Sequence, residues 1–471
     1  MLRQQNSELH RRRRGIATLW ILLTLPVFVI LICWVVEAGR LHLARQQLVT
    51  SLESAALASA KTWCEGDGST DTLDDRNIGL DFAAANVVLD TPVTLDTNYD
   101  PSAAPNDNAS CAGDLVFGTI REEIDGRRVF YAGLRAGCGN TDGPNAHATL
   151  KVSSGDWQTV SMCNRGYTCM VVVGTPVYTS ADRPMVVRIQ NAGAGNSFDF
   201  FVQDTNTGAA VPNVPVHFFV VEEGVYDEAT HGVTMEAVKY DSTVTDRQGS
   251  WFGEARAYAN AYAQPVVVGQ VMTFNDPNWS VFWDHGGTRQ TPPGAALFTG
   301  KHVGQDPNQV RADETVGYIV IEEGSGSMNG LPYYASLGPD TVVGMLNGAP
   351  NTYALPGDVA SFMAASKAAE DGGNGAWVVA YGPDPLQPST VDFGVDEHLL
   401  TDRRHTNEQI AHVILGGPCV VKASAEVEVP WLCSLFGCVL PPATVRGEAY
   451  AMVDCEDRCP ILICVDDEVC P

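Results

Sequence analysis

Three histidines spaced seven apart, His398, His405 and His412, are of a type that could ligate a metal ion. They lack the HExxH arrangement that places two imidazoles on one helical face, so no metal ligand is assigned. His412 stands where an earlier, similar stretch has Tyr318, and it reads as a half-buried strand residue. Glu314 and Glu408 recur at matching places beside hydrophobic runs. Such carboxylates bind a cation or sugar hydroxyls, or pair on the surface with Arg311 and Arg404, the commoner use. The stretch GSGSMNG, Gly324 to Gly330, invites a nucleophilic serine, yet it departs from GxSxG and falls where an inter-strand turn is expected. Trp279, Trp283, Trp377 and Tyr381 could stack on sugars, but aromatic residues in strand-like runs are usually core. No catalytic, cofactor-binding or metal residue is therefore assigned.

The elements that must position these residues are strands. From about residue 64 onward, polar turns alternate with short β-prone runs, and after about 217 runs of Val, Ile, Phe, Tyr and Trp are separated by Gly, Pro, Asn and Asp turns with no long amphipathic helix among them. From about 217 the pattern returns: Val220-Val221-Glu222-Glu223-Gly224 as Val320-Ile321-Glu322-Glu323-Gly324, and Ala312–Tyr318 as Thr406–His412, with a period drifting from 100 to 94 residues. Each copy reads as a β-sandwich.

Ahead of the strands, Gly15 to Val36 is a run of 22 residues without a charged side chain. At about 1.5 Å per residue it crosses the ~30 Å hydrocarbon layer as a helix, with a kink expected at Pro26. Arg11 to Arg14 precede it, so the short N-terminal tail is expected in the cytoplasm and the remainder outside. The run is longer than the core of a cleaved signal peptide, and retention as an anchor is expected. Leu41, Ala44, Leu48, Leu52, Ala55 and Ala56 then follow at helical spacing. This alanine-rich stripe suits close packing against a partner helix.

A formal charge of -27 over 471 residues, with the basic residues gathered at the N-terminus, argues against nucleic-acid binding. Twelve of the 13 cysteines lie beyond the membrane run, before residue 170 or after 418, without CxxC pairs. Disulfides outside the cytoplasm are expected rather than zinc.

The order Arg-Arg-Gly, apolar run with a central proline, Glu37-Ala-Gly-Arg40, and a helix ending in Ala55 to Ala58 resembles the N-terminal module of Tad-type (Flp) pilus-assembly proteins, the TadE/G-like family. Phe82 to Asn86, Asp114 to Gly118 and Val421 to Val453 resemble later parts of the same family. Pilins cut by a prepilin peptidase carry glutamate at the fifth position after the cleavage glycine. Trp20 stands there after Gly15, so the resemblance implies an uncleaved, TadG-like accessory protein. The copies after 217 also resemble H-type lectin domains, six-stranded sandwiches that bind sugars.

The expected fold is α+β, mostly β. Its parts are a basic cytoplasmic tail (1–14), a single transmembrane helix (15–36), a juxtamembrane stalk helix (37–63), and a Tad-like disulfide-containing α+β ectodomain (64–216). Two tandem β-sandwich repeats (217–317 and 318–416) and a Tad-like, β-rich, Cys-rich C-terminal segment (417–471) complete it. The expected function is a non-enzymatic, membrane-anchored accessory role in Flp-type pilus assembly or surface adhesion, without a cofactor. Expected partners are the lipid bilayer, other pilus-assembly membrane proteins met through the helix, and surface glycans, with no nucleic acid. A membrane-tethered, lectin-like carbohydrate-binding protein is the alternative.

Overall fold

The computed structural model describes residues 2–65, 72–97, 99, 114–122, 127–132, 136–137, 144–162, 166–328, 331–357, 359–398, 402–431, 441–453, 460–463, 465 and 467–469. Helix α1, Leu2–Glu65, is one element of 64 residues, and Pro26 lies within it without ending it. Its apolar part has a mean hydropathy of 2.8 and none of it is buried by the rest of the chain; Trp20, Leu22 and Phe28 are all more than half exposed. A helix satisfies its own backbone, so such a segment is stable where lipid replaces water.

The second half of α1 behaves differently. Ala44, Leu48, Leu52, Ala55, Ala56, Ala60 and Trp63 are fully buried. Their cover is the chain itself: helix α2, Leu73–Ala85, and an antiparallel sheet built on Gly417–Val429 and Ala443–Val453. The stripe for which a partner helix was expected is thus occupied intramolecularly. Small residues allow the approach. A Cβ on Gly79 of α2 would stand 2.2 Å from Ser59 Oγ, and Ser51 and Ser59 donate to the α2 carbonyls of Ala83 and Asp75 at 3.0 and 2.9 Å. Trp63 meets Phe117 edge-on at 5.0 Å. Burying each of these leucines stabilises by about 1.5–3 kcal/mol.

This base sheet joins distant parts of the sequence. Leu115–Glu122 lies between Arg128–Ala132 and Gly417–Val429, with Cys419 opposite Thr119 and Ala423 opposite Leu115. The intervening chain leaves after Arg128–Ala132 and returns at Gly417.

Between those points the strands fall into three sets. The first has a sheet ordered Ala146–Ser154, Pro212–Glu222, Met170–Tyr178 and a layer ordered Gln158–Ser161, Ser197–Asp204, Met185–Gln190. The second has Gly224–Tyr226, Met235–Ser242, Glu314–Glu322, Pro265–Val271, with a layer in which Leu297–His302 lies between Glu254–Arg256 and Val281–His285. The third repeats that order as Gly324–Met328, Leu331–Leu337, Ile410–Leu415, Phe362–Lys367, with Thr390–Asp396 between Asn351–Ala354 and Trp377–Tyr381. Even the parallel contact of Asp246 with His302 has a counterpart in Gly344 with Val395. Strands Pro212–Glu222 and Glu314–Glu322 run through the boundaries expected at 217 and 317/318.

The sheets bury both faces, as their unbroken apolar runs require. Val266 and Val268 enter a core shared by all three sets, while Val267, between them, packs with Leu297, Tyr318 and Val320. In that shared core Met170–Tyr178, Pro265–Val271 and Phe362–Lys367 touch pairwise. Ala365 N donates to Thr175 Oγ1 at 2.9 Å, Gly269 N to Ser366 Oγ at 2.9 Å, and Gln270 Nε2 to Val187 O at 3.1 Å. A cavity of about 50 Å³ lies where they meet, beside Gly174, Gly269, Gln270, Ser366 and Lys367.

Candidate functional site

Glu314 and Glu408 are the residues around which the candidate site is built. Both carboxylates are buried, and neither pairs with Arg311 or Arg404 on the surface. Each instead caps the turn that follows the end strand of its sheet, Pro265–Val271 or Phe362–Lys367. Glu314 accepts from Thr273 Oγ1 at 2.5 Å and from the amides of Asn275 and Asp276 at 3.0 Å, while Glu408 accepts from the amides of Asp371 and Gly372 at 3.0 Å. A carboxylate can be desolvated here because backbone donors replace the lost water. Arg311 bonds Asp306 at 2.7 Å and the Trp279 carbonyl at 2.6 Å.

Around Glu408 the second and third sets enclose a cluster of ionisable groups. Glu408 Oε1 lies 2.6 Å from His405 Nε2, and Glu397 bonds the other ring nitrogen, Nδ1. Glu370 Oε1 lies 3.6 Å from Nε2 and has no hydrogen-bond partner, while its other oxygen bonds Lys367 Nζ. From the second set come Asp284 and His302, both fully buried, with no partner at either carboxylate oxygen or either ring nitrogen. Gly372 is required by this crowding: a Cβ there would stand 2.3 Å from the His405 ring.

Burial dominates the electrostatics. It raises the Asp284 carboxyl well above its ordinary range and Glu370 to about 7, against the opposing pull of Lys367. It holds His302 well below 6.5. Burial would also lower His405, but its bonds to Glu397 and Glu408 raise it to about 9. Lys367 and His405 keep Glu408 below its ordinary value.

Of the residues singled out in the sequence, His405 and Glu408 enter this cluster and the others do not. His398 stacks on Trp279 with ring centroids 5.8 Å apart. His412 lies in Ile410–Leu415, fully buried rather than half-buried, among Tyr334, Tyr353 and Phe393. Trp279, Trp283 and Trp377 are buried, so none offers a stacking surface, and Tyr381 is partly buried. Trp279 and Trp377 meet at 5.2 Å and donate to the carbonyls of Thr205 and Met185 in the first set. Gly324–Met328 is an edge strand paired with Leu331–Leu337 rather than a turn, and Ser325 and Ser327 are exposed on it. Asn329 and Gly330, the rest of that stretch, lie outside the described residues. Cys169 carries a free thiol, so the expected pairing does not extend to it; most other extramembrane cysteines lie outside the described side chains.

Asp284, His302, Lys367, Glu370 and Glu397 were not singled out as candidates. The signal the sequence offers is that Glu370-Asp371 follows Phe362–Lys367 much as Asn275-Asp276 follows Pro265–Val271. The convergence itself depends on how two strand sets pack.

The other site is the mouth of the apolar helix. Arg40 Nη1 lies 3.3 Å from Glu37 Oε2 and donates to Pro430 O at 3.1 Å, tying α1 to the base sheet where the buried stripe begins.

Neither the curated proteins nor the solved structures include a match to this chain. The apolar helix supports a single-pass membrane protein. Residues 15–62, comprising that apolar segment, the Glu37–Arg40 pair and the buried stripe, match the family model described as "Putative Flp pilus-assembly TadE/G-like", which makes the N-terminal part of this chain a Tad-type module.

Proposed function

We propose that the chain is a non-enzymatic, membrane-anchored accessory protein of Flp-type pilus assembly or surface adhesion. The observation that carries this reading is the family match at residues 15–62, which falls on one helix that is apolar and uncovered in its first half and packed on its own domain in its second. Arg11 to Arg14 hold the tail in the cytoplasm, and the strand-rich part stands in the periplasm or at the cell exterior. With the alanine stripe already covered, contact with other pilus-assembly membrane proteins falls to the uncovered segment near Leu19 to Val36. The three strand sets are copies of one β-sandwich, closed into a ring and raised on the base sheet as a contact module. Disulfides among the outlying cysteines stiffen this part.

Removal of the gene tests the reading: Flp-type pili, counted by electron microscopy, are expected to fall and to return when the full chain is supplied. Unchanged pilus number and unchanged surface attachment would overturn it. A membrane-impermeant reagent applied to intact cells, spheroplasts and lysates tests the orientation; labelling of the strand-rich part only after lysis would reverse it.

A further inference from the structure

We propose that Glu370, His405 and Glu408 form a binding site for a divalent first-row metal ion of the zinc class, with Glu397 positioning the imidazole. One oxygen or nitrogen from each of the three ligands lies within 4.8 Å of the others, and all three residues are buried. Nitrogen together with carboxylate oxygen is the donor set of zinc-class ions, whereas calcium and magnesium take oxygen alone. The Glu397 bond to Nδ1 turns Nε2 toward Glu370 and Glu408, the second-layer arrangement that orients metal-binding histidines.

Two further observations point to a missing cation. Glu370 Oε1 is wholly buried, lacks a hydrogen-bond partner, and lies 3.6 Å from His405 Nε2. Asp284 is also buried beside this cluster, close enough to Lys367 for their charges to interact. With the ring neutral as a ligand, two of the ligand carboxylates lie against one lysine: Glu370 bonds Lys367 Nζ, and Glu408 Oε1 stands 3.8 Å from it. A divalent ion at Nε2 would compensate these two carboxylates, since a buried charge needs a partner. Glu408 is held by the Asp371 and Gly372 amides, and Gly372 lets the backbone lie against the ring, so two ligands are fixed before an ion arrives. All three ligands belong to the third set, so the ion would tie the turn after Phe362–Lys367 to the segment leading into Ile410–Leu415.

The test uses the full chain in detergent, stripped with a chelator and titrated with Zn2+, with metal content read by mass spectrometry. About one ion per chain, a raised melting temperature and a proton released on binding are expected. Glu370→Gln, which keeps the side chain's shape, should abolish stoichiometric binding while preserving the circular dichroism spectrum. Glu397→Gln should weaken binding by about 10–100-fold. Because either variant could unfold, Co2+ added to the unaltered chain gives an independent reading: intense visible bands of a four- or five-coordinate site are expected. A folded chain that takes up no stoichiometric Zn2+, a weak hexa-aqua cobalt spectrum, or a folded Glu370→Gln chain that binds as tightly as the unaltered one would each overturn the proposal.

Discussion

Glu314 and Glu408, 94 residues apart, do the same work: each inserts a buried carboxylate beneath the turn that follows the end strand of its sheet and accepts from consecutive backbone amides at 3.0 Å. Glu314 also lies 3.8 Å from the buried Arg188 of the first set. Glu314→Ala removes the acceptor for two amides and leaves that guanidinium without its carboxylate. A loss of about 3–5 kcal/mol is expected, measured by denaturant unfolding of the detergent-solubilised chain. A loss below ~1 kcal/mol would show that water satisfies these groups as well.

Burial of the α1 stripe by its own domain is tested at Leu52 and Gly79. Leu52→Ala leaves a cavity in a fully buried position and should cost about 2–5 kcal/mol. Gly79→Val places methyl groups where Ser59 Oγ stands and should cost about 1–3 kcal/mol. Hydrogen exchange should quicken in α2 in both variants and stay unchanged within the apolar segment. A stripe that served a partner helix instead would leave the stability of the isolated chain unaltered.

Much of this was legible in the sequence. The apolar run, its continuation at helical spacing and the β-rich remainder follow from side-chain periodicity. The matching places of Glu314 and Glu408 were visible from their neighbours. Their job was not, because a carboxylate beside a strand reads as a surface charge until the turn above it is known to offer free amides. The stripe of Leu48, Leu52 and Ala56 shows that a face must be covered, and cannot say whether the cover comes from another protein or from the strands that begin at Gly417. Residues 146–222 share strand order with the later sets without sharing their Val-Glu-Glu-Gly marker at the start, so their likeness lies in pairing alone.

Acid should destabilise the domain through its buried neutral histidines. Burial holds His412 at about 4 and His217 at about 3, below the ordinary value of 6.5. The unfolded chain therefore binds protons first, and the stabilisation present above pH 6.5 is lost as pH falls toward 4. The slope is about 1.4 kcal/mol per pH unit for each imidazole. His412→Phe, in a pocket of Tyr334, Tyr353 and Phe393, should flatten the curve between pH 6.5 and 4 in urea titrations. An unchanged slope would mean that His412 is accessible to protons in the folded state.

Trp279 and Trp377 should hold the sets together. Each donates its indole proton to the first set, at 3.1 Å to Thr205 O and 3.0 Å to Met185 O, while packing on the other. Trp279→Ala should cost about 3–5 kcal/mol. If the sets unfold as one unit, the transition stays single. A second, separate transition would show that they are independent bodies.

The most direct measurement of the central claim is complementation of cells lacking this gene with either the full chain or a version without residues 146–415, scoring pili and surface attachment separately. Pili restored by both versions, with attachment restored by the full chain alone, is the result expected from the proposal that the helix and its base sheet support assembly and the strand sets make the outward contact. Normal pili and normal attachment in cells without the gene would contradict the account.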